Sequence, residues 1–190
     1  GKAADADAEA AGPVAEAAAE GGESPWPPAS VFEIEEPTSP DPESRPTKAL
    51  GRDYVAYLVD AIDYSLRTTF PVNDLTEAGA PSRDCDVCVE VVELTRDARS
   101  RRQLYDFGTV SGTIERMLPA SSTDPRDRST YWQVLVMLDQ PSMDVTDEAG
   151  DVTDTIPGSV RPTSLLMGQH SDGWRIYSWD YLDTEPPADA

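Results

Sequence analysis

The chain is short of what membrane spans, nucleic-acid faces and metal centres are made from. No apolar run approaches the roughly eighteen residues that a spanning helix needs. Positive charge is scarce: 15 Lys and Arg stand against 36 Asp and Glu, for a net charge of −21. A phosphate backbone needs a basic face, so nucleic acid is excluded as a partner, and unaided adhesion to an anionic membrane surface is disfavoured. There is one histidine, His170, and there are two cysteines, Cys85 and Cys88. Two thiolates need two further ligands to hold zinc, and no second CxxC supplies them, so we expect no metal and no cofactor. Lysine stops at Lys48, and every later basic residue is arginine. That bias fits a GC-rich genome, and the acid load also fits a salt-adapted organism.

What is present divides into three. Residues 1–48 hold three basic and eleven acidic residues among Ala, Gly and Pro, a composition unable to bury enough apolar surface to offset ordering. We read them as a disordered acidic tether, stiffened by proline from Pro25 onward. Trp26 and Val31-Phe32-Glu33-Ile34 interrupt it, either as an anchor docking on the domain or a partner, or as a chance apolar island. Residues 49–183 read as one domain, and 184–190 as a Pro- and Asp-rich tail. A start at Gly1-Lys2 without methionine reads as a mature form or a trimmed chain, with any export segment already gone.

The domain is organised around Arg83–Gly112, where a helical pattern gives way to a strand pattern. A first helix is expected over 49–70, with Leu50, Tyr54, Tyr57, Leu58, Ala61, Ile62 and Leu66 inward and Pro71 ending it. Asp60 and Asp63 fall on its wet side. Residues 71–82 read as a connection with Leu75 tucked in. A second helix opens near Cys85, with Cys85, Cys88, Val89 and Val92 inward, Val91, Leu94 and Ala98 widening the stripe, and Ser82 and Asp84 placed to cap it. Strands are expected at Gly108–Leu118, Tyr131–Asp139, Arg161–Gln169 and Trp174–Leu182. Tyr131–Asp139 is apolar on both faces and reads as central. A short acidic hairpin about Glu148-Ala149-Gly150 would join Met143–Thr146 to Asp151–Thr155; its carboxylates lack the spacing of a calcium loop. In the last strand Trp174 and Ile176 alternate with Tyr177, Trp179 and Tyr181. His170 sits in the final turn with no visible nucleophile beside it.

Three readings of Cys85–Cys88 compete: a structural disulfide pinning the helix start, a redox pair, and half a metal site. Flanking Asp84, Asp86 and Glu90 would raise a thiol pKa rather than lower it, which weighs against redox chemistry. We expect the disulfide, and with it an oxidising compartment.

Tyr54–Tyr64, the Asp84-Cys85-Asp86-Val87-Cys88 helix opening, Gly108-Thr-Val-Ser-Gly112 and the Gly173-Trp174 closing turn together resemble a family. It comprises uncharacterised actinobacterial lipoproteins with a nuclear transport factor two-like (SnoaL-like) domain, and the likeness covers about residues 48–183. The resemblance implies an α+β fold: two N-terminal helices packed on a curved, cone-like antiparallel sheet of about four to six strands. It implies export to the outer face of the cell membrane, with a lipid anchor on an upstream cysteine that this sequence does not contain. It brings no catalytic residues. We therefore expect a non-enzymatic envelope module that binds a protein or small molecule between helix and sheet. Tyr54, Tyr57, Trp132, Trp174 and Trp179 are the candidate lining residues. The alternatives are a small-molecule-binding or proton-transfer enzyme of the same fold, a redox protein using the CxxC, or a cytosolic protein of a salt-loving organism.

Overall fold

The computed structural model describes residues 26–43, 46–80, 84–122, 127 and 129–182. A 3-10 turn at Ala29–Glu33 precedes helices α1 (Lys48–Thr68), α2 (Asn73–Ala78) and α3 (Asp86–Ser100). Seven strands follow: β1 (Leu104–Phe107), β2 (Ser111–Ala120), β3 (Thr130–Gln140), β4 (Met143–Thr146), β5 (Val152–Ile156), β6 (Ser159–His170) and β7 (Gly173–Tyr181).

Local chemistry sets the helix limits. Thr47 Oγ1 accepts from Leu50 N at 3.2 Å and caps α1, which ends where Thr69 turns left-handed at φ 61°. Tyr54, Leu58, Ala61, Ile62 and Leu66 form its buried face. In α3 the cap is the sulfur of Cys85, which accepts from Cys88 N at 3.3 Å. Asp84 is exposed and does not serve as the expected cap; Ser82 lies outside the described residues. The buried stripe of α3 is Val87, Cys88, Val91, Thr95 and Ala98, so Val89 and Val92 sit at its edge rather than its centre.

The expected fold is corrected in three ways. Among the described residues the strands number seven and form two antiparallel sheets, β2-β3-β6-β7 and β1-β4-β5, not one curved sheet of four to six strands. The described residues hold three α-helices, not two. They are not N-terminal, because the 3-10 turn and the segment up to Thr47 precede them. The reason is length: α2 and β1 span only six and four residues, too short to show a period, and α2 is written in the turn formers Asn73 and Asp74. Gly108-Thr109-Val110 is the break between β1 and β2, not the start of a strand.

The larger sheet carries the core. β3 is internal, paired with β2 and β6. Val134, Val136, Leu138, Leu165, Met167, Ile176 and Trp179 join the helices in one buried cluster. Each such side chain contributes about 1.5–3 kcal/mol on leaving water. α1 crosses close to the sheet: a Cβ on Gly112 would lie 2.6 Å from Val59 Cγ2, so only glycine permits this approach. A bulge inserts Tyr177 into β7, since Leu166 pairs with Ser178 and Met167 with Ile176. One extra residue reverses the alternation. Trp179 therefore joins Trp174 and Ile176 in the core, contrary to the strict alternation expected from the sequence.

The smaller sheet is tied to α1 and α3. Tyr105 donates to Leu94 O at 3.0 Å. Asp63, expected on the wet face, is largely shielded. It pairs with Arg67 at 2.6 Å and accepts from Val110 N at 2.9 Å, while Arg67 lies over the Phe107 ring at 4.3 Å. Of the N-terminal apolar residues, Val31 is buried, and the Phe32 ring lies 5.9 Å from that of Phe70. This part of the expected tether rests on the domain. No described helix is long and apolar enough to cross a membrane.

Candidate functional site

The five aromatic residues expected to line a pocket divide into two groups. Tyr54, Tyr57 and Trp174 come together where α1, α2 and β7 meet. Tyr54 stacks on Trp174 at 4.9 Å and on Tyr57 at 5.6 Å. Tyr54 donates to Asp74 Oδ2 at 3.1 Å. Burial, and then the Asp74 carboxylate, push the Tyr54 hydroxyl far above the ordinary phenol range; Tyr57 is raised by the same causes. Burial also raises the Asp74 carboxyl, against the opposing pull of the Tyr54 hydrogen bond. The cleft beside this cluster holds about 140 Å³, less than a ligand-sized cavity. Trp179 is fully buried, with its N–H on Thr163 Oγ1, and Trp132 lies over Gly51 on α1. These rings mostly fill the interior between helices and sheet.

One ligand-sized space is at the rim of the larger sheet, where β3 begins and β6 ends; another, of about 620 Å³, lies over the outer side of α3 beside Val89, Glu93 and Leu94. The register brings Thr130 opposite Gln169, so Ser129 and His170 become neighbours although 41 positions apart. Ser129 Oγ lies 2.9 Å from His170 Nδ1, and His170 Nε2 contacts the Tyr177 hydroxyl. Tyr177 lies within 3.5 Å of the Tyr131 hydroxyl, which donates to Asp127. That donation, followed by the Ser129 amide at 2.9 Å, holds the Asp127 carboxyl well below the usual range. Gly168 makes room for the two tyrosine rings: a Cβ there would sit 2.8 Å from Tyr131 and 3.0 Å from Tyr177.

Beside this ring of hydrogen bonds lies a cavity of about 500 Å³, bounded by Glu43, Pro46, Ser129, Thr130 and Gln169–Asp172. Gln169, 6% exposed, donates its amide nitrogen to Glu43 O. Its Oε1 is buried and has no hydrogen-bond partner among the described residues. Sequence reasoning missed this site. It placed His170 in a turn, whereas His170 ends β6, paired with Gly173. Only the pairing of β3 with β6 reveals Ser129 beside it.

Cys85 and Cys88 form a disulfide, with Cα atoms 5.2 Å apart, and both residues are buried. Bonded, buried sulfurs offer neither thiolates to a metal nor a surface to a redox partner. The acidic hairpin forms as β4–β5, and Asp147 Oδ1 accepts from the amides of Ala149 and Asp151 at 2.9 and 3.0 Å. Asp147 thus shapes the turn.

No family model matches the sequence, and no curated protein does. Among solved structures, the crystal structure of the intermembrane space region of the chloroplast protein ARC6 is similar over 74% of this chain and 99% of that chain. The TM-score is 0.45 and the sequence identity 10%.

Proposed function

We propose that this chain is an extracytoplasmic domain of a cell envelope. In this reading it is held at the outer face of the membrane through its acidic, Ala- and Pro-rich N-terminal stretch and acts as a non-enzymatic binding module. The Cys85–Cys88 disulfide supports the compartment, because such bonds persist where the surroundings are oxidising. Binding rests on one observation: the rim cavity is ligand-sized and is bordered by the hydrogen-bonded side chains of Ser129 and His170.

Protease treatment of intact source cells tests the location: digestion is expected, and full protection overturns it. A fragment screen followed by the NMR resonance of the imidazole tests the binding. With only one histidine in the chain, the signal reports on the rim cavity alone. Saturable shifts are expected, and a library without any would overturn the binding reading.

A second reading, acyl transfer from Ser129, is favoured by its 2.9 Å contact with His170 Nδ1. Covalent labelling of Ser129 by a fluorophosphonate would put that reading first.

A further inference from the structure

We propose that the outer face of the larger sheet is covered by a second copy of this chain, related by a twofold axis that runs along the strands between β3 and β6. This surface is independent of the binding read into the rim cavity.

Strand alternation divides the sheet into two faces. Val134, Val136, Leu138, Leu165 and Met167 point to one side, where the helices and the smaller sheet pack. The positions between them point away: Leu135 and Met137 on β3, Pro162 and Leu166 on β6. These four are half-buried and do not join the core cluster. Leu118 on β2 and Val160 on β6 flank them, 48% and 61% exposed. Together they form an apolar band across a four-stranded face that no described element covers. The residues outside the described set hold no aliphatic or aromatic side chain larger than alanine except Val14. The chain therefore has little of its own to lay over the band, and contiguous apolar surface of this kind marks an interface.

Charge and size favour a second copy as the occupant. The chain carries −21 overall, so most of its surface repels itself. This face is close to neutral: Arg116 and Arg175 stand against Asp139 and Asp180, with Glu115 in the bulge of β2. The register also arranges its charges for self-pairing. Arg116 is opposite Leu135, Leu135 opposite Ser164 and Ser164 opposite Asp180, so one row crosses the sheet from an arginine on β2 to an aspartate on β7. A twofold axis along the strands sets β2 over β7 of the second copy. Arg116 then lies over Asp180 of that copy and Asp180 over its Arg116, while the two apolar bands meet at the centre. Stacked sheets lie about 10 Å apart, a gap that an arginine and a carboxylate span together. Four strands of nine residues, the length of β7, cover roughly 19 Å by 30 Å in projection. With side-chain relief this approaches the ~800 Å² that each partner gives to a stable interface.

The test is sedimentation equilibrium of the full chain from about 1 μM to about 1 mM, at about 0.15 M salt to screen the repulsion between copies. A reversible equilibrium between the 20.6 kDa chain and a species of twice its mass is expected. Leu135→Glu, at the centre of the band, and Leu118→Glu, at an exposed position that leaves the core untouched, are each expected to weaken it about tenfold or more. Arg116→Asp and Asp180→Arg each set like charges opposite one another and are expected to weaken it comparably. An equal mixture of those two variants sets opposite charges over each other at both ends, and the dimer is expected to return. Arg116 is exposed, so Arg116→Asp is readable even where Asp180→Arg, near the start of α3, does not fold. A chain that stays monomeric over this range leaves the band to a partner of another kind and overturns the proposal. A dimer that survives Leu118→Glu and Leu135→Glu overturns it as well. Charge variants that associate as the parent does, or a mixture of two folded variants that stays monomeric, overturn the twofold arrangement and with it the proposal.

Discussion

The indole N–H of Trp179 donates to the hydroxyl of Thr163 at 2.9 Å, and that hydroxyl donates to the carbonyl of Val136 at 2.9 Å. All three residues are fully buried, on β7, β6 and β3. The pair ties the bulged strand to the sheet centre. Thr163→Val keeps the volume and removes the acceptor, leaving the indole N–H orphaned. A loss of about 1–3 kcal/mol in denaturant unfolding is expected, with Thr163→Ser closer to the parent.

Asp74 gives a signed pH effect. Burial raises its carboxyl above the ordinary aspartate value, so the native state binds its proton more tightly than the unfolded chain. The stability linked to this group is present below the ordinary value and is lost as pH rises through the folded one. Asp74→Asn can still accept from Tyr54 and carries no titrating charge. Thermal melts between about pH 4 and about pH 7 should fall less steeply for the variant than for the parent.

The disulfide closes a loop of sequence separation 3. By chain entropy a loop this small stabilises by about 2 kcal/mol. Cys85→Ser with Cys88→Ser should lower stability by roughly that amount and leave the fold intact by circular dichroism. Collapse of the domain would show that the bridge does more than pin the start of α3.

Gly168→Ala is expected to be costly because the new methyl meets the rings of both Tyr131 and Tyr177. Overpacking of this kind costs about 1–3 kcal/mol. Displacement of the rings should also shift the His170 resonance, since Tyr177 contacts its Nε2. A melting point equal to the parent's would mean that the rings move aside freely.

By itself the sequence determined what composition and period can express. The acid excess, α1 over Lys48–Thr68, the centrality of β3 and the proximity of the two cysteines were legible, because each depends on residues near in sequence or on bulk counts. Tertiary structure decided the rest. Pairing β1 with β4 split the strands into two sheets, and no local pattern states which strands pair. The bulge at Tyr177 moved Trp179 to the core face, because one inserted residue reverses every later side chain. The rim cavity exists only because the β3–β6 register places Thr130 opposite Gln169, which brings Ser129 to His170, and because the chain returns Glu43 O to the Gln169 amide. Contacts between residues 41 and 126 positions apart are set by packing and register, and a local reading of the sequence does not contain them.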